Sequence, residues 1–301
     1  MNKLKRISKV FESAEEIPID DSTRIILMSD VHRGDGGWAD DFSKNQNLYF
    51  AALKHYYNEN YIYIEIGDGD ELWKNKRLSD IIGVHNNAFE LLSRYYNEGR
   101  LYFIFGNHDM LKRNDKYVKK NLYQYFDERE KKYIPLFENI QLHEGLVLKH
   151  RKTNQKILLI HGHQVSFLDY ELWRFSRFLV RYFWRPLELF GVNDPTSTAK
   201  NYNKKDAVER KLTEWVTQEK HMLIAGHTHK PMFPEVGNPP YFNDGSSVHP
   251  RSITGIEIAD GDITLVKWNV KTKDDGTLYI DREVLAGPRK LKDYQYNSSL
   301  P

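Results

Sequence analysis

The sequence has no cysteine among its 301 residues. That absence excludes disulfides, thiolate zinc sites and a cysteine nucleophile together, and it fits a reducing, cytoplasmic setting. No stretch approaches the ~18 uninterrupted apolar residues of a membrane-spanning helix. The basic N-terminus lacks the apolar core and small-residue cleavage site of a secretory leader. Charge of one sign is also scarce: 44 basic against 42 acidic residues leave a formal net charge of +2. Such a balance does not point to a general nucleic-acid binder. What remains is 40% hydrophobic and 29% charged, enough apolar material for a sizeable core.

Five short apolar runs punctuate the chain, at residues 24–29, 61–66, 101–105, 157–160 and 222–225. Runs of this length between polar residues suit buried strands. Helical segments are expected between them, at about 43–58, 84–98, 115–132 and 204–220. Alternating strands and helices predict an α/β sheet. Beyond residue 248 the pattern changes to β-rich runs at 252–258, 263–270 and 278–284, separated by Asp260-Gly261-Asp262 and Asp274-Asp275-Gly276. These read as antiparallel hairpins. Residues 1–20 read as an irregular arm, 21–285 as the main domain and 286–301 as a tail.

Each of the five leading runs ends in residues that ligate metals: Asp30-Val31-His32, Gly67-Asp68, Gly106-Asn107-His108-Asp109, His161-Gly162-His163 and Gly226-His227-Thr228-His229. Six of the twelve histidines lie in these endings. Open α/β sheets place their sites at the carboxyl ends of strands. Singly, Asp30 reads equally well as a helix cap, Gly67-Asp68 as a turn and His161 as a core histidine. Their joint order is what carries the signal.

That order, DxH, GD, GNHD, H and GHxH, resembles the calcineurin-like metallophosphoesterases from about residue 24 to 257. The resemblance implies a four-layer α/β/β/α sandwich of mixed sheets, with a helical cap inserted at about 165–220. It also implies two divalent cations. Asp30, His32, Asp68 and His229 would hold the first; Asp68, Asn107, His161 and His227 would hold the second, with Asp68 bridging. Oxygen and nitrogen ligands without sulfur suit Mn2+ best, then Fe or Zn2+. The implied reaction is in-line attack of a metal-bound hydroxide on a phosphoester or pyrophosphate. His108 would stabilise the phosphoryl group and protonate the leaving oxygen, and Asp109 would orient its ring. Where the family's second motif reads GDxxD, this chain has Glu71 in the last acidic position, whose longer arm would serve the same support.

Residues 67–73, 161–164 and 243–247 further resemble the branch containing UDP-2,3-diacylglucosamine pyrophosphatases. That branch carries an arginine at the position of His108, which leaves room for another substrate. Within 165–190, Leu168, Leu172, Phe175, Leu179 and Tyr182 share one helical face, and Arg174, Arg177, Arg181 and Arg185 form a second stripe. An aromatic and basic helix of this kind suits an interfacial anchor or a lid over an acyl chain; the plainer reading is a cap packed on the core with its arginines in solvent. Arg174, Arg177, Arg181 and His163 are candidate substrate contacts, because the guanidinium fork matches phosphate oxygens. The expected partner is a phosphate-bearing small molecule or lipid-linked substrate, with peripheral membrane contact through 165–190. The rival readings are a nucleic-acid or nucleotide phosphodiesterase, a protein phosphatase, and a noncatalytic scaffold of the same fold.

Overall fold

The computed structural model describes residues 3–127, 130–188 and 201–295. Two sheets face each other. The first, of seven strands, has the order β14-β13-β12-β2-β3-β4-β7. Its parallel half consists of β2 (Ile25–Met28), β3 (Ile62–Ile66), β4 (Leu101–Ile104) and β7 (Leu142–His143). Its antiparallel half is β12 (Ser252–Ala259), β13 (Asp262–Thr272) and β14 (Leu278–Lys290), the expected C-terminal hairpins. The second sheet has the order β1-β8-β9-β10-β11: Glu15–Ile19, Gly145–His150, Lys156–Ile160, Met222–Ala225 and Tyr241–Asn243. A small hairpin, β5 (Gln124–Asp127) with β6 (Lys132–Pro135), stands apart.

Strand periodicity sorts the apolar runs into layers. Ile25, Leu27, Ile64, Ile66, Leu159 and Ile224 fill the space between the sheets. Their sequence neighbours turn outwards. Ile26, Met28 and Tyr63 pack under α2 (Gln46–Asn58), α3 (Leu78–Val84) and α4 (Asn86–Asn97). Leu158, Ile160 and Leu223 pack under α1 (Lys3–Ser13) and a long helix, Tyr202–Glu219. Strands covered on both faces have no polar alternation to show, which is why they stand out as runs. The result is the four-layer α/β/β/α sandwich.

Several boundaries differ from the sequence reading. The described part of the expected arm, from Lys3 on, is docked: Leu4, Ile7 and Val10 of α1 are buried, and β1 pairs in parallel with β8. The expected helix at 115–132 stops at Asn121 (α5, Asp115–Asn121) and gives way to the β5–β6 hairpin. The domain continues past residue 285, since β14 runs to Lys290 and Leu291 and Tyr294 are buried behind it.

The cap is smaller than expected. Helix Tyr202–Glu219 buries Val208, Leu212, Trp215 and Val216 on the second sheet and belongs to the outer layer. What stands over the strand ends is a broken run: α6 (Phe167–Tyr170), α7 (Trp173–Leu179), a π turn (Val180–Trp184) and α8 (Arg185–Glu188), which makes Tyr202–Glu219 α9. Residues 189–200 of the expected cap lie outside the described residues. Among the described residues no helix is long and apolar enough to cross a membrane.

Candidate metal centre

The carboxyl ends of β2, β3 and β4 in one sheet meet those of β9 and β10 in the other. Each candidate ligand sits just past its strand, and the chain turns sharply there. Asp30, His32, Asp68, His227 and His229 all have left-handed backbones, with φ of 49°, 51°, 52°, 68° and 54°. Side chains other than glycine lose about 1–2 kcal/mol in that conformation. Strain of this kind concentrates where side-chain direction matters more than stability. The glycines of the motifs permit close approach. A Cβ on Gly106 would lie 2.1 Å from Asp68 Oδ1, and one on Gly226 would lie 2.1 Å from Ser29 Oγ.

Three groups of potential ligating atoms result; two hold the expected ligands, Asp30 with His32 and His229, and Asp68 with His161 and His227, and a third, His32 with Glu71 and His108, lies at their edge. In the first, His229 Nε2 is 2.9 Å and His32 Nε2 3.6 Å from Asp30 Oδ1. In the second, His161 Nε2 is 3.1 Å from Asp68 Oδ2, the same oxygen that lies 3.8 Å from His32 Nε2. Asp68 therefore stands between the triads. The non-ligating atoms are already engaged. Asp30 Oδ2 accepts from Ser29 Oγ at 2.5 Å and His227 N–H at 2.8 Å; Asp68 Oδ1 accepts from His108 N–H at 2.8 Å. His161 Nδ1 donates to the Ile66 carbonyl at 2.9 Å, which turns the Nε2 lone pair into the site.

Buried polar atoms normally find partners. Asp30 Oδ1, Asn107 Oδ1 and His161 Nε2 are buried without a hydrogen bond, and the first and last lie 3.9 Å apart. Uncharged imidazole nitrogens, carboxylates and one amide oxygen are what a divalent cation of intermediate softness takes. The donor set fits a pair of such cations. Asn107, also expected as a ligand, is buried in the loop that follows β4.

The electrostatics agree. Burial acts to raise the carboxyl of Asp30, but His229 and His161 outweigh it and hold it well below the usual range. Burial also opposes ionisation of Asp68, and His161 and His108 likewise pull it down. His161 is raised to about 9: burial would lower it, and Asp68 and Asp30 prevail. Below that pH the cation-free chain holds a proton on His161 that an incoming cation must displace.

His108 stands at the edge of the site, its ring stacked on Trp73 at 4.2 Å and 20°. Its orienting partner is not the expected Asp109. Glu71 accepts from His108 Nδ1 at 2.8 Å and also lies 3.3 Å from His32 Nδ1. Asp109 is drawn away by the Gly106 N–H at 2.6 Å and by Lys112 Nζ at 2.8 Å. Lys112 belongs to a buried network beneath the loops. Arg33 is fully buried, with Nε 2.8 Å from Asp70 and both terminal nitrogens 2.8 Å from Glu65; Lys112 reaches Asp70 at 2.6 Å. Burial opposes ionisation of Asp70, yet Arg33 and Lys112 hold it down at about 2. Replacing Arg33 with methionine would leave the buried Glu65 without its cation and Asp70 with Lys112 alone, so a loss of about 3–5 kcal/mol in urea unfolding is expected; a loss below about 1 kcal/mol would show that the network is dispensable.

The expected substrate contacts are placed differently. His163 does not continue β9; Gly162 turns the chain at φ 112°, and His163 begins a 3-10 turn. It is fully buried beside His161, and burial, then His161 and His227, push its pKa well down. A neutral buried ring is not a substrate contact. Arg181 is also engaged, donating to the carbonyls of Leu72, Trp73 and Asn75, while Arg185 reaches Lys74 O and Asp35. These arginines brace the loop that carries Trp73. Arg174 and Arg177 stand over the Trp173 ring, at 5.4 Å and 5.1 Å. Five aromatics of the cap face outwards, Phe167, Phe175, Phe178, Tyr182 and Phe183 each being more than half exposed, whereas Leu179 of the expected stripe is half-buried.

Sequence reasoning missed two supports. Ser29 Oγ lies 2.6 Å from Asp244 Oδ1 as well as touching Asp30; the 243–247 motif marked that stretch without giving it a role. Asp169, in the cap, lies 3.4 Å from His227 Nε2, and nothing in its sequence context distinguishes it.

Solved structures similar to this one include Vps29 of Entamoeba histolytica complexed with Zn2+, at 18% identity and a TM-score of 0.39, covering 87% of this chain and 99% of that one. A single mutant of the same protein gives 19% and 0.39, covering 88% and 100%, and Chaetomium thermophilum Vps29 gives 11% and 0.40, covering 88% and 96%. Curated proteins yield no significant match. The profile of the calcineurin-like phosphoesterases matches residues 23–231, an interval that runs from just before Asp30 to just after His229 and contains all five strand-end motifs. On that match over most of its length, the chain belongs to the calcineurin-like phosphoesterase family.

Proposed function

We propose that this protein is a dinuclear, metal-dependent hydrolase of phosphoester or pyrophosphate bonds, acting on a substrate with a lipid or lipid-like tail. The observation that carries the reading is the pair of ligand triads divided by Asp68, with a histidine–carboxylate pair at their edge. Two divalent cations, Mn2+ by preference, would be held by Asp30, His32, Asp68 and His229 and by Asp68, Asn107, His161 and His227; when bound, they lower the pKa of water and neutralise phosphoryl oxygens.

The chain's own residues supply the rest. Glu71 is held well below the usual range, chiefly by His108 and against its burial, so it is ionised and accepts from Nδ1. His108 then presents Nε2 outwards. Water adds at phosphorus, the bond to the leaving oxygen breaks, and a proton from Nε2 goes to that oxygen. Trp73 fixes the plane of the imidazole, and Arg181 fixes the carbonyls on either side of Trp73.

The lipid part of the reading rests on the cap. Five more-than-half-exposed aromatics lie within 167–183, beside the cations of Arg174 and Arg177. Contiguous apolar exposure of this kind favours docking, and an aromatic face with basic neighbours suits an anionic lipid surface.

The test is hydrolysis by the Mn2+-loaded protein of a chromogenic phosphomonoester, a chromogenic phosphodiester, a UDP-sugar and a UDP-linked acylated sugar, each with a His108→Ala control. Preferential turnover of the acylated substrate, lost in the control, is expected. A double change, Phe175→Ser with Phe178→Ser, should lower turnover of the acylated substrate about tenfold or more and spare the chromogenic esters. Turnover confined to simple esters would remove the lipid from the proposal. No turnover of any, with cations bound, would favour a scaffold.

A further inference from the structure

We infer that Asp169, contributed by the cap, is a positioning residue for His227, and that docking of the cap is thereby linked to retention of the second cation. The inference rests on the dinuclear reading and adds to it a residue outside every motif. Asp169 Oδ2 lies 3.4 Å from His227 Nε2, and both residues are buried. An imidazole has two nitrogens, and the partner of one decides which lone pair faces a metal. With Nε2 turned to a carboxylate, Nδ1 is left for the cation.

Asp169 is held there by contacts that reach across the domain. Ser166 caps the first turn of α6, its Oγ accepting from Asp169 N–H at 3.3 Å. The following residue, Tyr170, stacks on His163 at 5.7 Å between centroids, and His163 in turn lies 5.5 Å from His161. Arg6 of α1 closes the other side. Its guanidinium sits 3.9 Å over the Tyr170 ring, donates to Gln164 O at 2.5 Å and pairs with Glu171. Three consecutive cap residues are thus tied, one to a ligand of the second cation, one to that ligand set's neighbour and one to the N-terminal helix. The first triad receives no such contact from the described residues of the cap.

Carboxylates behind metal-ligating histidines typically contribute 10–100-fold in metal affinity. Asp169→Asn keeps the shape but weakens the acceptor, and its amide can donate to Nε2 and place the imidazole proton on Nδ1. Metal content and affinity would be read by titration of the metal-free full-length protein with Mn2+, beside Asp169→Glu and His161→Ala. The expected result is one tight and one weakened site in Asp169→Asn, weaker by about 10–100-fold, with partial recovery in Asp169→Glu. Reciprocally, Mn2+ should slow proteolysis within residues 167–188 in the wild type and do so less in Asp169→Asn. Wild-type affinity at both sites in Asp169→Asn, with the second site lost in His161→Ala, would overturn the role of Asp169 alone. A wild type that binds fewer than two equivalents would overturn the dinuclear reading and this inference with it.

Discussion

Asp68→Ala is expected to lose both cations, where His161→Ala or His229→Ala loses one. The geometry distinguishes these outcomes. Asp68 Oδ2 stands 3.1 Å from His161 Nε2 and 3.8 Å from His32 Nε2, one histidine from each triad. A carboxylate shared between the two sites would also offset the mutual repulsion of two dications. Metal content after dialysis should fall from two equivalents to less than one, and turnover should drop by more than about a thousandfold, beyond the loss from a single transition-state donor. Metal content of one full equivalent would mean that Asp68 serves one site only. The same substitution has a signature without metal. His161, raised to about 9 by Asp68 and then Asp30 against its burial, loses the larger of those two influences and should titrate at lower pH. In the metal-free wild type, a raised imidazole stabilises fully below its ordinary value of 6.5, and that contribution fades as pH rises towards about 9. Asp68→Ala should flatten this decline, which thermal melts across that pH range would measure.

The candidate ligands stand out in the sequence because of where they sit. Parallel strands buried on both faces leave short uninterrupted apolar runs, and the chain must turn at once after each, so ligand residues follow the runs directly. Glycine marks the close approaches, as Gly106 does against Asp68. The partner of His108 was not legible. Glu71 and Asp109 are both acids in reach of it, and the choice is made by Lys112 and the Gly106 amide, which capture Asp109. Tertiary contacts of that kind leave no periodicity.

The cap and the N-terminus show the same limit from two sides. A helical stripe of Leu168, Leu172, Phe175, Leu179 and Tyr182 suggests a face, but not which way it turns. Arg181 and Arg185 decide it, because the carbonyls of residues 72–75 are better partners for guanidinium than water alone. Arg181 and Arg185 turn in, and Phe175, Phe178, Tyr182 and Phe183 turn out. Strand β1 reads as polar because it is an edge strand, with Glu15, Glu16 and Pro18 exposed and only Ile17 and Ile19 buried.

His108→Ala should keep both cations and lose turnover by about 10²–10⁴-fold, because its imidazole is in neither of the two triads that hold the expected ligands; it lies edge-on to His32 at 4.7 Å and is paired with Glu71. The leaving group distinguishes proton donation from mere electrostatic support. A nitrophenolate departs without a proton, so the deficit for a nitrophenyl ester should be small beside that for an alkyl ester or a sugar pyrophosphate of high leaving-group pKa. Glu71→Gln tests the same pair from the other side. The amide oxygen still accepts from Nδ1 but the charge beside the ring is gone, so the rate loss should be smaller than that of His108→Ala and should fall, as there, mainly on substrates of high leaving-group pKa. Asp109→Asn should do neither, since that carboxylate serves Gly106 and Lys112; its cost should appear in stability, with the leaving-group dependence of the wild type intact. Equal losses across all leaving groups in His108→Ala would assign the imidazole to charge stabilisation alone, and a shifted leaving-group dependence in Asp109→Asn would return the orienting role to the residue that the motif first suggested.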